Sequence, residues 1–244
     1  MAGAQKLTLL AKYTSSASWR VRCALNYKHI EYETQPVNLL DLTDENGRKL
    51  LALNPAKRVP VLIHGERVLT ESLAIIEYLE DVSRLLQWKF TKSPVFWPIH
   101  LRNSAKNHNF DGPKLLPADF YARAQSRAIA LHIACGIQPV QNIRVTRKVK
   151  ELYGQGSEKA WAKYWVHLGL KELEGMVSKT AGDYCVGNSV TIADTCVPSI
   201  LFKGQAWGVD VTEFPTLLRV EKNLEQLEPF IAALPSEQPD APRK

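Results

Sequence analysis

A group of hydroxyl side chains lies between an apolar run and a helical pattern close to the start of the chain. Leu7–Leu10 is predicted to be a strand, and Val21 and Ala24 fall on one face of a helix that begins near Ser16. Serine is a favoured N-cap, so one expectation is that Ser15 or Ser16 simply caps this helix. The free N–H groups and the dipole of a helix N-terminus also favour an anion. The other expectation is therefore that a serine hydroxyl stabilises a thiolate or oxyanion of a bound ligand.

The composition predicts a soluble globular protein of one or two domains with a proper core. No apolar run approaches the roughly 20 residues needed to span a bilayer, and the N-terminal residues lack the apolar core of a secretory signal. The cysteines are far apart and form no CxxC pair, which predicts a reduced, cytoplasmic compartment and neither a disulfide framework nor a metal site. They are Cys23, Cys135, Cys185 and Cys196.

The formal net charge of +6 is concentrated in one part of the chain. Residues Ser83–Lys114 contain six basic residues and one acid, a formal charge of +5, and the remainder is nearly neutral. A nucleic-acid-binding protein is expected to carry its basic residues on a face of the fold. The charge distribution therefore argues against a nucleic-acid partner, and the lack of a long apolar run argues against a membrane partner.

Residues 1–83 show the element order of a thioredoxin-like domain. The His64-Gly65-Glu66 turn indicates a hairpin. Pro60 heads an apolar strand, where either a cis Val59–Pro60 bond or an ordinary trans proline would be accommodated. Strands are predicted at Leu7–Tyr13, Ile30–Val37, Val59–Ile63 and Arg67–Thr70, helices at Ser16–Tyr27 and Ser72–Val82, and a short irregular helix or loop at Asp41–Leu51.

The second part of the chain, residues 114–244, is helical in pattern. Ile129, Ile133 and Ile137 recur at every fourth position of one helix, which Gly136 and Pro139 are expected to bend without ending. The other expected features are a break at Tyr153–Gly156, a cap at Ser157, a core face with Trp161 and Trp165, a capping box at Thr191–Asp194 that opens a helix, a last helix at Pro215–Phe230 and an extended or disordered tail from Leu234.

A thioredoxin-like unit followed by a helical unit is the layout of soluble glutathione transferases. The sequence Ser-Ser-Ala-Ser-Trp-Arg-Val-Arg at 15–22 closely resembles the Ser-Ser-Cys-x-x-Arg-Val-Arg signature of the zeta class, the maleylacetoacetate isomerases. Gly136–Asn142 is a second specific match, whereas Val59-Pro60, Glu71-Ser72 and Thr191–Asp194 are shared by many transferase classes. The resemblance implies an α/β thioredoxin-like glutathione-binding domain at 1–83, a linker or insertion at 84–113 and an all-α substrate domain at 114–244.

The resemblance also implies that glutathione is the cofactor. Ser15 would hydrogen-bond its sulfur and favour the thiolate, with support from Ser16, and Val59 would pair its backbone with the cysteinyl part. Glu71 and Ser72 would hold the γ-glutamyl end, because a carboxylate suits an ammonium group and a helix N-terminus suits a carboxylate. The residues implied to bind glutathione or close its site are Ser15, Ser16, Ala17, Arg20, Val59, Pro60, Glu71, Ser72, Gln138, Asn142, Ile143 and Arg144.

The implied reaction is the cis–trans isomerisation of maleylacetoacetate to fumarylacetoacetate, in tyrosine and phenylalanine degradation, by a homodimer. The thiolate would add to the cis double bond, and rotation followed by loss of the thiolate would give the trans isomer. The substrate is a diacid and needs cations. Arg20, Arg22 and Arg144 are candidates, although each alone is more typical of a structural or surface arginine.

Two departures from the family pattern keep other functions open. Ala17 replaces the usual cysteine, and Phe202–Gly208 lacks the arginine expected near the substrate carboxylate, for which Lys203 is only a point-charge substitute. One alternative is therefore a glutathione transferase acting on small α-halo acids or peroxides. A second is a non-catalytic interaction module that uses the basic, aromatic insertion.

Ser83–Pro113 has no counterpart in the family. It is rich in aromatic and basic residues and shows no helical or strand period. Structureless loops of this length are uncommon in compact domains. The segment is expected to be a flap, a docking element or non-coding sequence translated in the gene prediction, with the last favoured.

Overall fold

The computed structural model describes residues 7–91 and 112–242, and over residues 83–91 it describes the course of the backbone. It divides into two compact units, Met1–Lys114 together with Glu228–Lys244, and Leu115–Leu227. The C-terminal residues therefore belong to the first unit, in contrast to the expected helical domain at 114–244. Within the described ranges no helix is long and apolar enough to cross a membrane.

The first unit contains a four-stranded sheet with strand order β2-β1-β3-β4. The β1–β2 pair is parallel, and β3 is antiparallel to both β1 and β4. A two-residue turn with Gly65 at a φ of 62° joins β3 to β4, so the predicted hairpin is confirmed. The strands are β1 Leu7–Ala11, β2 Tyr32–Pro36, β3 Val61–His64 and β4 Arg67–Thr70.

Three helices accompany this sheet: α1 Ser16–Tyr27, α2 Glu45–Leu53 and α3 Ser72–Thr91. The bounds of α1 are those predicted. The predicted end of α3 at Val82 is wrong, and so is the expectation that no helix continues beyond it. No glycine or proline interrupts the chain between Ser72 and Pro94, so nothing in this stretch breaks a helix. The rest of the insertion, residues 92–111, lies outside the described residues.

The second unit is helical, and its first long helix changes geometry without ending. The predicted bend near Gly136 is a π-helical turn, and Ile129, Ile133 and Ile137 are all buried. The helical segments are α4 Phe120–Leu131, the π-helical turn His132–Ile137, α5 Gln138–Val140, α6 Ile143–Tyr153, α7 Ser157–Val177, α8 Val197–Ala206 and α9 Pro215–Leu224. Glu228–Ile231, here α10, belongs to the first unit.

Two expectations about α7 are wrong. Gly156 occupies the N-cap position, and the hydroxyl of Ser157 instead donates to the carbonyl of Gly154 at 2.6 Å. Trp165 is 37% exposed, because the buried face of α7 is formed by smaller residues on another side of the helix. That face consists of Ala162, Val166, Gly169, Leu170, Leu173 and Val177.

The predicted capping box at Thr191–Asp194 closes a turn, and α8 begins later, at Val197. The Asp194 carboxylate accepts hydrogen bonds from the backbone N–H and the hydroxyl of Thr191, both at 2.7 Å. It also accepts the backbone N–H of Cys185 at 2.8 Å. Burial raises the pKa of Asp194, although these bonds act in the opposite direction. The motif thus holds the entry to α8 without starting that helix.

The C-terminal end differs most from the sequence-based expectation. The predicted helix Pro215–Phe230 is two helices, since α9 ends at Leu224 and α10 starts at Glu228. The predicted extended or disordered tail is wrong as well. Gln238 is only 8% exposed, and its Nε2 donates to the carbonyls of Ala232 and Leu234. The tail is therefore folded onto the first unit.

Candidate active site

Three segments of the first unit meet at one end of the sheet. Leu10 near the end of β1 pairs with Val61 at the start of β3, and Val61 pairs with Thr70 at the end of β4. The loop after β1, the segment before β3 and the turn after β4 therefore lie at the same end of the sheet. These segments carry Ser15 and Ser16, Val59 and Pro60, and Glu71 and Ser72.

Ser15 is the N-cap of α1, with an extended backbone. Its Oγ accepts a hydrogen bond from the backbone N–H of Ser18 at 3.2 Å. That bond uses a lone pair of the oxygen and leaves the hydroxyl hydrogen for another acceptor. Capping and ligand binding by Ser15 are therefore compatible. The first turn of α1, which begins at the buried Ser16, contains no acidic residue that would neutralise the positive end of the helix dipole.

The Val59–Pro60 peptide bond is cis, the first of the two alternatives that the sequence left open. Both residues are buried, and Val59 packs in an apolar cluster that includes Leu10 and Val61. This cluster fixes the segment directly before β3. The backbone of Val59 is thereby held at the end of the sheet that also carries Ser15.

Glu71 and Ser72 join β4 to α3. Glu71 is exposed and has a φ of 64°, a left-handed conformation that is uncommon for non-glycine residues and tends to cluster at ligand-binding sites. Ser72 is the first residue of α3, and its Oγ accepts a hydrogen bond from Nη1 of Arg20 at 3.2 Å. Arg20 is 1% exposed. This buried guanidinium therefore connects α1 to the start of α3 inside the candidate site.

Arg22, one of the expected substrate cations, instead has a structural position. Its Nη2 donates to the carbonyls of Tyr13 and Ala233, at 3.2 and 3.1 Å, and its Nε donates to Ala233 at 3.2 Å. The side chain is fully buried, and this burial lowers the pKa of Arg22 below its usual value. Arg22 is thus committed to backbone carbonyls and is not a candidate for binding a diacid.

The residues expected to close the site lie close together along the second unit. Asn142 is the N-cap of α6, and its Oδ1 accepts the backbone N–H of Arg144 at 3.0 Å. Ile143 and Arg144 are exposed, whereas Gln138, the first residue of α5, is half-buried. All four therefore lie within residues 138–144, between the end of the π-helical turn and the first turn of α6.

The stretch that lacks the expected arginine packs on the same junction. Trp207 donates its Nε1–H to Oε1 of the buried Gln141 at 3.0 Å. Lys203 on α8 is half-buried, and burial lowers its pKa. Neither Trp207 nor Gln141 was among the expected site residues. A single donor and a single acceptor far apart in sequence produce no periodic signal, so only the fold pairs them.

Comparisons with known proteins place the chain in a family. A family profile described as the N-terminal domain of glutathione S-transferase matches residues 14–82. A probable maleylacetoacetate isomerase of Caenorhabditis elegans is 38% identical over 237 residues, 97% of this chain and 96% of that protein. A zeta-class glutathione S-transferase of Euphorbia esula is 33% identical over 97% of this chain and 93% of its own. A crystal structure of maleylacetoacetate isomerase from Anaeromyxobacter dehalogenans, with bound GSH in its active site, has a TM-score of 0.78 and 34% identity, covering 97% of this chain and 98% of that one.

The chain belongs to the maleylacetoacetate isomerase family, the zeta class of glutathione transferases. The expected two-part architecture, with a thioredoxin-like domain followed by helices, is confirmed by the fold and by these relatives.

The groups at the end of the sheet fit the glutathione used by the zeta class. Glu71 presents an exposed carboxylate that suits an ammonium group. Ser72 at the start of α3 offers a helix N-terminus that suits a carboxylate, and the hydroxyl hydrogen of Ser15 suits a thiolate. An α-amino acid end and a sulfur thus find complementary partners on neighbouring segments.

Proposed function

We propose that the protein catalyses the glutathione-dependent cis–trans isomerisation of maleylacetoacetate to fumarylacetoacetate, in cytoplasmic tyrosine and phenylalanine degradation. The observation that carries the proposal is the geometry of Ser15, whose hydroxyl hydrogen remains available at the positive end of α1. The names of the matched relatives support the substrate. The four free cysteines support a reducing compartment.

Ser15 acts on the ionisation of a thiol held at the start of α1. A free thiol has a pKa of about 8.5 and is mostly protonated at pH 7. A hydroxyl hydrogen bond and the helix dipole each contribute about 1 kcal/mol, which together lower that pKa by about one to two units. Ser16, the first residue of α1, supports Ser15 in this role. When bound, glutathione supplies a nucleophilic thiolate whose reversible addition to the double bond permits rotation.

The other residues of the first unit hold and orient glutathione. Val59, fixed by the adjacent Pro60, presents its backbone to the cysteinyl part, and Glu71 and Ser72 hold the γ-glutamyl end. Arg20 keeps the Ser72 hydroxyl in place through its buried hydrogen bond. The small side chain of Ala17, in the first turn of α1, leaves room beside the sulfur and cannot form a mixed disulfide with it.

The second unit supplies the contacts to the diacid. The exposed Arg144 and the half-buried Lys203 are the proposed cations, because a diacid requires positive partners outside water. Gln138, Asn142 and Ile143 are proposed to contact the same substrate. With its lowered pKa, Lys203 gives up its proton more readily than an ordinary lysine. Its ionic interaction with the diacid therefore weakens as the pH rises.

Turnover of maleylacetone, a simpler analogue of the substrate, tests the proposal. Ser15→Ala should lower kcat/KM at pH 7 by about tenfold to a hundredfold, the loss of thiolate caused by a pKa rise of one to two units. Ser178→Ala is a matched control, because within the described part of the chain that exposed hydroxyl donates only to the carbonyl of Gly175. Glutathione binding by the wild type without turnover would contradict the proposal, as would full activity of Ser15→Ala.

A glutathione transferase acting on small α-halo acids or peroxides is the second candidate. It is favoured by the Phe202–Gly208 stretch, which contains no arginine and in which Trp207 is hydrogen-bonded to Gln141. A panel comprising maleylacetone, a chlorinated short-chain acid and an organic hydroperoxide separates the two activities. Failure to bind glutathione at all would instead favour a non-catalytic interaction module.

The protein is also proposed to act as a homodimer. Support comes from an exposed apolar stripe along α4, where Phe120 is 82% and Leu131 is 49% exposed. Ala124 and Ala128 lie between them and are also exposed. Contiguous exposed apolar surface is typical of protein–protein contacts. Sedimentation analysis should give twice the chain mass of 27.4 kDa, and a monomer at all concentrations would contradict the assignment.

A further inference from the structure

The C-terminal tail is hydrogen-bonded to the loop that carries Ser15. The backbone N–H of Tyr13, two positions before Ser15, donates to Oδ2 of Asp240 at 3.0 Å. An N–H bond to a carboxylate is charge-assisted and therefore stronger than a neutral one. Residues 13 and 240 are separated by almost the whole chain, so this bond forms only when the tail is in place.

Arg22 holds the same loop from the other side. Its guanidinium donates to the carbonyls of Lys12 and Tyr13, at 3.5 and 3.2 Å, and also to Ala233 in the tail, at 3.1 Å. The N–H and the C=O of Tyr13 are therefore both tied, directly or through Arg22, to residues 233–240. The carbonyl of Lys12 additionally accepts the backbone N–H of Ser15 at 3.0 Å.

Helix α10, which leads into the tail, has its own anchors on α1. Asn26 donates to the carbonyl of Pro229 at 3.1 Å, and the ring of Tyr27 meets Phe230 edge-on at 6.3 Å. Gln238 closes the tail on itself by bonding Ala232 and Leu234. Residues 229–230 are thus fixed on α1, and Gln238 is fixed on residues 232–234. Because both ends of this segment are held, Asp240 reaches Tyr13 with a defined geometry.

We propose that Asp240, assisted by Arg22, is a positioning residue for catalysis, which acts through the backbone of Tyr13 to hold Ser15 at the sulfur of glutathione. The inference rests on the proposed function. Asp240 touches no reacting atom. It restricts the loop after β1, so that the Ser15 hydroxyl stays at the N-terminus of α1 with its hydrogen directed outward from the cap. A loop freed from Asp240 would sample orientations in which that hydrogen bond to sulfur is lost.

Amide hydrogen exchange of the ligand-free protein tests this directly. Asp240→Ala should speed exchange at Tyr13, Ser15 and Ser18 about tenfold to a hundredfold, the factor that corresponds to a hydrogen bond to a charged group. Amides in the middle of β1 should be unaffected. Asp240→Asn keeps an acceptor oxygen and should restore most of the protection. Glu237→Ala is the matched control, because that carboxylate lies in the same tail and, among the described residues, accepts a hydrogen bond only from the neighbouring Ser236.

The pH dependence of the glutathione-bound protein separates positioning from plain stability. Asp240→Ala should raise the pKa of the bound thiol, read from thiolate absorbance, by about half a unit to one unit, and lower kcat more than it raises KM. Asp240→Asn and Glu237→Ala should keep the wild-type profile. A purely structural tail would lower the melting temperature and leave this profile unchanged.

The outcomes distinguish this inference from the proposed function. Unchanged exchange at Tyr13 and Ser15 in Asp240→Ala overturns the positioning role, whatever the activity of the variant. Faster exchange with an unchanged thiol pKa overturns it as well, because the loop would then be mobile without consequence for the sulfur. If the wild type fails to ionise glutathione at all, the proposed function fails, and the exchange result still shows whether Asp240 orders the loop.

Discussion

Ser15, Asp44 and Asn142 each accept a backbone N–H at the start of a helix, through one side-chain oxygen. Replacing such a cap by alanine costs about 1 kcal/mol of stability. Only Ser15 combines the cap with a hydrogen that can be donated, since a carboxylate has none and an amide donates from a different atom. A serine at this position can thus stabilise the helix and a bound anion through the same atom.

Glu221 on α9 is a residue whose protonation couples to folding. Burial raises its pKa to about 7, and the charge of Glu225 acts in the same direction. In the unfolded chain the carboxyl titrates near 4.3, so between about pH 4 and pH 7 the folded protein keeps a proton that the unfolded chain has lost. Stability contributed by this group therefore falls as the pH rises through that window.

Glu221→Gln should remove this loss of stability at higher pH. The free energy of unfolding at pH 8 should rise by about 1 kcal/mol, a value discounted for the partial exposure of the carboxyl, and should be unchanged at pH 4. Urea denaturation at the two pH values measures the difference. An equal gain at both would mean that packing, and not the proton, is responsible.

Helix α7 approaches the π-helical turn closely at a glycine. A Cβ added to Gly169 would lie 2.5 Å from Cγ1 of Ile137, and Nε2 of His132 lies 3.2 Å from the carbonyl oxygen of Gly169. The π-helical turn thus brings both Ile137 and His132 against one position of α7. Since α5 follows the π-helical turn directly, this contact also fixes the position of Gln138, the first residue of α5.

Gly169→Ala should therefore lower the free energy of unfolding by about 1–3 kcal/mol, the usual cost of overpacking. Gly175→Ala on the same helix is the matched control. Apart from the helix's own neighbouring backbone, no atom of the described residues lies within 4 Å of its added Cβ, so the higher helix propensity of alanine should stabilise the protein by up to about 1 kcal/mol. Thermal and urea unfolding of the two variants should shift in opposite directions, and parallel shifts would refute the packing argument.

A buried ion pair contacts the chain at Pro113, where the insertion ends. Nζ of Lys28, the residue directly after α1, lies 2.8 Å from Oε2 of Glu80 on α3, with both side chains at most 1% exposed, and also donates to the carbonyl of Pro113 at 3.1 Å. At Gly112 an added Cβ would collide with the backbone of Lys28. The end of the insertion is therefore fixed by contacts with the residue that directly follows α1.

Glu80→Ala should cost about 3–5 kcal/mol of stability, because it leaves a buried ammonium without its carboxylate. Glu151→Ala breaks a pair of similar geometry, Lys148–Glu151 at 2.6 Å, whose partners are 59% and 66% exposed. That change should stay within about 1 kcal/mol, since water already solvates both groups. Comparable losses in the two variants, measured by urea denaturation, would show that burial does not govern these pairs.

Local patterns predicted much of the fold. The order of strands and helices along residues 1–83, the hairpin and the bounds of α1 depend on alternation, turn residues and caps that lie within a few positions of one another. The prediction failed where the decisive contacts are distant. Trp165 has a helical period like a core residue and is exposed, and the tail from Leu234 has a loop-like composition and is folded.

The candidate site likewise contains some residues that local sequence patterns could locate and others that they could not. Ser15 and Ser72 could be located from sequence, because a cap and a helix start are local, and a family signature surrounds them. Arg22 was one candidate for a substrate cation, with a structural role considered more typical. The structure gives it the structural role, with a partner at Ala233 that nothing near Arg22 in the sequence indicates. The hydrogen bonds of Asp240 to Tyr13 and of Trp207 to Gln141 likewise join residues with no shared pattern. Such pairs come from the folding of a whole unit, in which buried polar groups must find partners wherever the backbone brings them.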